Sequence, residues 1–164
     1  MIGRLLRHLF APAASRLFPP DALQRIAIAV AAGESRHSGE VCFAVESALP
    51  AGAVLAGRDA RAQALDAFAR LRVWDTAANN GVLVFLLLAD HRIEIVADRG
   101  LAGRVSPEQW RGICGLMEER LRAGDAEAAA VQGVAAESAL LERHFPRAEG
   151  IEDENELPDL PHLS

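Results

Sequence analysis

Apolar and polar positions recur along this chain with periods that change from one stretch to the next. The longest uninterrupted apolar run, Val82 to Leu88, has the length of a strand and suits one covered on both faces. Asp90-His91 then supplies a turn, and Arg92 to Ala97 is again β-rich, so the two segments predict an antiparallel hairpin. Upstream, Glu40 to Glu46 alternates, with Val41, Phe43 and Val45 on one face and Cys42 beside Ala44 on the other. Helical spacing marks the rest. Asp21 can cap a helix to about Ala32 in which Leu23, Ile26, Ala27 and Val30 share a face. Beyond Pro50 and Gly52, a helix from Ala53 or Arg58 to Leu71 would turn Leu65, Phe68, Ala69 and Leu71 inward. Ser106-Pro107-Glu108 opens another, whose face is Trp110, Ile113, Cys114, Met117 and Leu121, ending at Gly124. Asp125 begins an alanine-rich helix through Val131, Val134, Ala135, Ala139 and Leu141 to about His144, stopped by Pro146.

A strand, a crossover helix and a second strand make a βαβ unit with parallel strands, and the hairpin adds a third strand antiparallel to both. The expected class is therefore α/β, a small mixed sheet covered by helices. Topology then has a consequence for chemistry. The starts of the first two strands and the finish of the third fall at one end of the sheet, so Ser38-Gly39-Glu40, Asn79-Asn80-Gly81 and Asp98-Arg99-Gly100 should converge there.

The two ends of the chain differ from its middle. Residues 1–18 form an amphipathic extension in which Ile2, Leu5, Leu6, Leu9 and Phe10 follow helical spacing, with Arg4, Arg7 and His8 elsewhere around the wheel. Such a helix packs on its own domain or a sister subunit, or lies on a membrane surface through residues 1–17. Its apolar runs are too short for a signal-peptide core or a span, which predicts a cytoplasmic protein, with membrane association through that helix. Residues 147–164 are acidic and interspersed with proline, and are expected to be extended or flexible unless docked.

Composition narrows the chemistry. With 164 residues, 51% of them hydrophobic, one domain with a sizeable core is expected. The net charge of −6 gives no basic footprint for nucleic acid. All 17 basic residues are arginine, so a Walker lysine, a Schiff base and a lysine base are excluded, and tyrosine is absent as well. Two cysteines, Cys42 and Cys114, can make neither a four-thiolate zinc site nor a disulfide framework, which fits a reducing compartment. Cys114 to Arg120 has the C-x5-R spacing of cysteine phosphatases, but it lies in a predicted helix, with Glu118 and Glu119 where an anion would be repelled.

Several motifs, taken in order, resemble the TPM domain family, a phosphatase-like domain named for a thylakoid-lumen protein, a photosystem II repair protein and a worm receptor modulator. They are Ser38-Gly39-Glu40, Thr76 followed by Asn79-Asn80-Gly81-Val82-Leu83-Val84, Asp98-Arg99-Gly100-Leu101, Trp110 and His144-Phe145-Pro146. The resemblance covers about Leu17 to Pro146 and makes residues 19–146 a TPM-like domain. Asn155-Glu156-Leu157-Pro158-Asp159 looks like the ending of short soluble bacterial members. It implies a Rossmann-like α/β sandwich, binding of a divalent cation, Ca²⁺ or Mg²⁺, and acid-phosphatase activity in some members. One departure is Ala97, where many members carry glycine before the aspartate.

On that basis Glu40, Asp75 and Asp98 are candidate hard-oxygen ligands, with the Asn79 or Asn80 amides completing the shell. Each also has an ordinary explanation, since Asn-Gly and Asp-Arg-Gly are turn chemistry and Glu40 can pair with an arginine. For phosphoryl chemistry, a metal held by residues such as Asp98 would neutralise the phosphate, Arg99 or Arg72 would stabilise its oxygens, and His37 would transfer a proton. Two functions follow from these residues: a cation-binding module that serves a protein partner or a membrane complex, and a metal-assisted hydrolase of phosphomonoesters.

Overall fold

The computed structural model describes residues 2–148 and 155–164. Its elements run α1 (Ile2–Leu9), α2 (Ala14–Leu17), α3 (Pro20–Glu34), β1 (Glu40–Glu46), α4 (Ala51–Leu55), α5 (Ala60–Arg70), β2 (Gly81–Leu87), β3 (Arg92–Ala97), α6 (Pro107–Arg122), α7 (Ala126–His144) and β4 (His162–Leu163). The four strands make one mixed sheet in the order β3-β2-β1-β4. β1 runs parallel to β2 with Glu40 opposite Gly81, and β2 pairs antiparallel with β3 with Val82 opposite Ala97.

Period two along each strand sorts the interior into two layers. Val41, Phe43, Val45, Val82, Val84, Leu86, Ile93 and Ile95 pack toward α3, α6 and α7. Cys42, Ala44, Leu83, Phe85, Leu87 and Val96 pack toward α4 and α5. Because both faces are covered, β1 and β2 are buried along their whole length, which is why β2 reads as a continuous apolar run. The fold is thus a helix–sheet–helix sandwich.

Several local expectations are corrected. The crossover is two helices, broken at Gly57, whose φ of 77° suits glycine, and restarted by Asp59, whose side chain accepts the Ala62 N–H at 2.8 Å. The buried face of α5 is Ala60, Ala64 and Ala67, and Leu65 is 48% exposed. Small side chains at that spacing bring the helix close to the sheet, so the alanines rather than the leucine define the inner stripe. In α7, Ala135 and Ala139 face solvent, whereas Glu137 and Ser138 are buried. An alanine-rich helix offers little hydrophobic contrast, so its orientation is set by packing alone. α6 begins as predicted, with a capping box between Ser106 and Gln109.

Both ends are docked where they are described. α1 sits against α4 and the turn after β2. Arg4 Nε donates to both Asp90 oxygens at 3.1 Å, and its Nη2 donates to Asp90 Oδ2 and to the Arg58 carbonyl, each at 2.7 Å. Buried His8 accepts the Leu49 N–H on Nδ1 at 2.9 Å, and its Nε2 lies 3.1 Å from Asp90 Oδ1. The expected acidic, flexible tail falls partly at 149–154, outside the described residues. Residues 155–164, by contrast, return to the body. Leu157 is buried and β4 extends the sheet beside Ala44 and Val45 of β1.

Candidate functional site

The strand starts and finish converge as the topology requires, and hydrogen bonds lock the three loops. Glu40 N–H donates to the Asn80 carbonyl at 3.1 Å, Asp98 N–H to the Gly81 carbonyl at 2.9 Å, and Gly100 N–H to the Asn79 carbonyl at 2.8 Å. The Asn80 amide donates to the Ser38 carbonyl, and buried Thr76 accepts the Asn80 N–H on Oγ1 at 3.1 Å. Asn79 holds the left-handed conformation with φ 53°, and its side-chain oxygen accepts Arg99 Nε at 2.9 Å. Asp98 Oδ1 accepts the Arg99 N–H at 2.7 Å. Gly100 is required by closeness: a Cβ there would lie 2.7 Å from the Ala78 carbonyl oxygen and closer still to that of Asn79.

Two buried oxygens at this junction have no hydrogen-bond partner among the described residues, Asp98 Oδ2 and Asn80 Oδ1. Unpaired buried acceptors are costly, and they are the feature of the site that a hard cation would satisfy. The remaining expected ligands are committed elsewhere. Glu40 Oε2 accepts the N–H groups of Glu156 and Leu157 at 3.1 and 3.3 Å. Exposed Asp75 pairs with Arg72, three residues before it. Among the described residues no group of three His, Cys, Asp or Glu side chains is placed to hold a metal. A cation here would therefore rest on one carboxylate, with amide and main-chain oxygens.

His37, expected as a proton carrier, is fully buried instead. Its Nδ1 accepts the Gly39 N–H at 3.2 Å, and its Nε2 lies against Gly33 beside Ser138 Oγ. Burial lowers the imidazole to about 4, so it is neutral near pH 7 and has no exposed face to offer a substrate. The Cys114 thiol is raised to about 11 and the Cys42 thiol to about 12, in both cases chiefly by burial. Cys114 lies inside α6, as the rejection of the C-x5-R motif required.

Sequence reasoning missed Glu156. Its carboxylate accepts the Ala77 N–H at 3.2 and 3.0 Å, so the C-terminal segment rests directly on the loop between Thr76 and Asn80. Only the Asn155–Asp159 motif, read as a family ending, pointed at that segment. Beside the junction, a cleft of about 630 Å³ is lined by Arg61, Asp98, Arg99, Trp110 and Arg111 among others.

A covered mixed sheet with a loop junction at the strand ends defines an α/β sandwich of the kind that carries its site on loops. The sequence profile of the TPM domain matches residues 14–139, and the chain belongs to that family. Its fold is also similar to the NMR structure of the BA42 protein from the psychrophilic bacterium Bizionia argentinensis, with a TM-score of 0.74 and 24% identity over 87% of this chain and 92% of that one. At that identity the likeness is one of fold. The search of curated proteins gave no match.

Proposed function

We propose that the protein is a divalent-cation-binding interaction module whose cation site is the Asn80–Asp98 junction. The observation that carries this is the pair of buried, unpartnered oxygens, Asp98 Oδ2 and Asn80 Oδ1. Oxygen donors without thiolate or imidazole favour Ca²⁺ or Mg²⁺, and bound there the ion would neutralise the Asp98 carboxylate and tie two of the three loops together. One carboxylate supplies little ligand charge, so binding belongs in the weak range, with Kd about 10⁻⁴–10⁻³ M. A binding role suits a chain whose histidine at the loops is buried, whose cysteines are held as thiols, and which has no lysine or tyrosine. Its output would be contact with a protein or membrane complex. Two free cysteines suit a reducing, cytoplasmic setting, and no helix among the described residues is long and apolar enough to cross a membrane.

Calorimetric titration of Ca²⁺ and Mg²⁺ into metal-free protein tests this directly. Heat of binding, with a rise in Tm by mass action, is expected for the native chain and is lost in Asp98→Asn. No heat and no thermal shift at concentrations of about 10 mM, well above the expected Kd, would remove the cation.

A second function, hydrolysis of phosphomonoesters, is favoured by the cleft, where Arg61, Arg99 and Arg111 stand with Asp98. Guanidinium groups match phosphate oxygens. Turnover of an aryl phosphate that disappears in Arg99→Ala, with folding intact, supports it; equal turnover by both proteins refutes it.

A further inference from the structure

The N-terminal helix is mounted the wrong way round for a helix that serves its own core. Its polar residues face the body: Arg4 is tied to Asp90 and to the Arg58 carbonyl, and His8 is buried against Leu49 and Asp90. Of its apolar residues only half-buried Leu5 packs on the body, and the others face outward, with Ile2 77%, Leu6 48%, Leu9 58% and Phe10 80% exposed. These stand at i, i+4, i+7 and i+8, one stripe of a helix, and a folded domain normally buries such a stripe. Exposed Leu17 and, on the neighbouring α4, exposed Leu55 add to the apolar side chains left in water.

We propose that this face binds an anionic lipid surface. Charge supports that occupant. Arg4, Arg7 and Arg16 are the only charged side chains in the first 20 residues, and all 23 acidic ones lie beyond them. Arg7, 3.6 Å from Asp90 but still largely exposed, lies on the same helix as the stripe, and exposed Arg16 follows on α2, so the segment is cationic in a chain that is acidic as a whole. A second copy of the chain fits less well. A helix of eight residues is about 12 Å long, short of the roughly 800 Å² per partner that stable dimers bury, and pairing this face with itself would oppose arginine to arginine. A lipid interface needs no shape complement and takes apolar side chains one by one. The body's negative charge is repelled by the same surface, so binding is confined to this face and weakens with salt.

The test uses the full chain with extruded vesicles of phosphatidylcholine alone or mixed with phosphatidylglycerol, in EDTA, so that the outcome is separate from cation binding at Asp98. The native protein should co-sediment with the anionic vesicles at low salt and much less with the neutral ones. Leu6→Ser with Phe10→Ser should lower the partition coefficient by at least about tenfold. Arg7→Gln with Arg16→Gln should abolish the preference for anionic lipid. Because these side chains are exposed, both variants should keep the native melting transition. No binding by the native chain at low salt, or equal binding by the native chain and the apolar variant, overturns the proposal. Loss of a dimer in solution by the apolar variant, with vesicle binding unchanged, overturns it in favour of self-association.

Discussion

Glu137 offers a sharp test of the packing described here. It lies on α7, is completely buried, and neither carboxyl oxygen has a hydrogen-bond partner among the described residues. Burial raises its carboxyl well above the ordinary value of 4.5, and the second acid Glu34 on α3 acts in the same direction. His37, a neutral ring at pH 7, lies beside Ser138, the next residue on α7, while the Cys42 thiol is on the opposite face of the sheet. The sign of the linkage follows from the raised value. The folded protein holds the proton while the unfolded chain releases it above pH 4.5, so the stabilisation is fully present below that pH and declines as pH rises toward the folded value. One retained proton corresponds to about 1.4 kcal/mol per pH unit, hence at most about 2.7 kcal/mol between pH 5 and pH 7. Glu137→Gln keeps the shape and removes the titration. The stability difference between the variant and the native chain should therefore grow in the variant's favour by up to that amount over this interval, or roughly 5–11 °C in Tm. Urea melts at pH 5, 6 and 7 measure it, and Glu34, itself pushed up to about 8 by burial, largely keeps its proton over this interval. A stability difference that does not change with pH would mean that Glu137 is not kept protonated by folding, and the account of this buried region would be wrong.

Two further outcomes probe the docked ends. Leu157→Ala removes a side chain packed into the layer under α5 and should cost about 2–4 kcal/mol in a urea melt, an effect that a free tail could not produce. Arg4→Ala should lower stability at neutral pH by about 1–3 kcal/mol by leaving Asp90 partly buried without its guanidinium. Burial acts to raise the Asp90 carboxyl, but Arg4 and His8 outweigh it and hold it below 3.8. That stabilisation is present above pH 3.8 and lost as pH falls through the lower folded value, so the native and variant melting curves should approach one another in acid.

What the sequence determined by itself was whatever repeats locally. Period two placed β1 and β-rich composition placed β3 to the residue, and the uninterrupted run Val82–Leu88 announced a strand covered on both faces, which the structure sets at Gly81–Leu87. The Ser106-Pro107 start located α6, and the strand directions alone implied that Ser38–Glu40, Asn79–Gly81 and Asp98–Gly100 meet. Ordered short motifs carried the family. The tertiary structure decided everything that depends on a partner distant in the chain. Leucine outweighs alanine in any hydrophobic pattern, yet α5 turns Ala64 and Ala67 inward because small side chains allow close approach to the sheet. His37, beside a loop in sequence, is buried because α3 and α7 close over it at Gly33 and Ser138. Glu40 and Asp75, both plausible ligands by residue type, are engaged by main-chain N–H groups from residues 156–157 and by Arg72. The C-terminal segment, polar and proline-rich, carries no local signal for order, and docks because β1 leaves an open edge and Glu40 an acceptor for its amides. Local pattern sets which face an element prefers, but only contacts between distant segments decide which polar atoms remain unpaired, and in this protein those atoms define the candidate site.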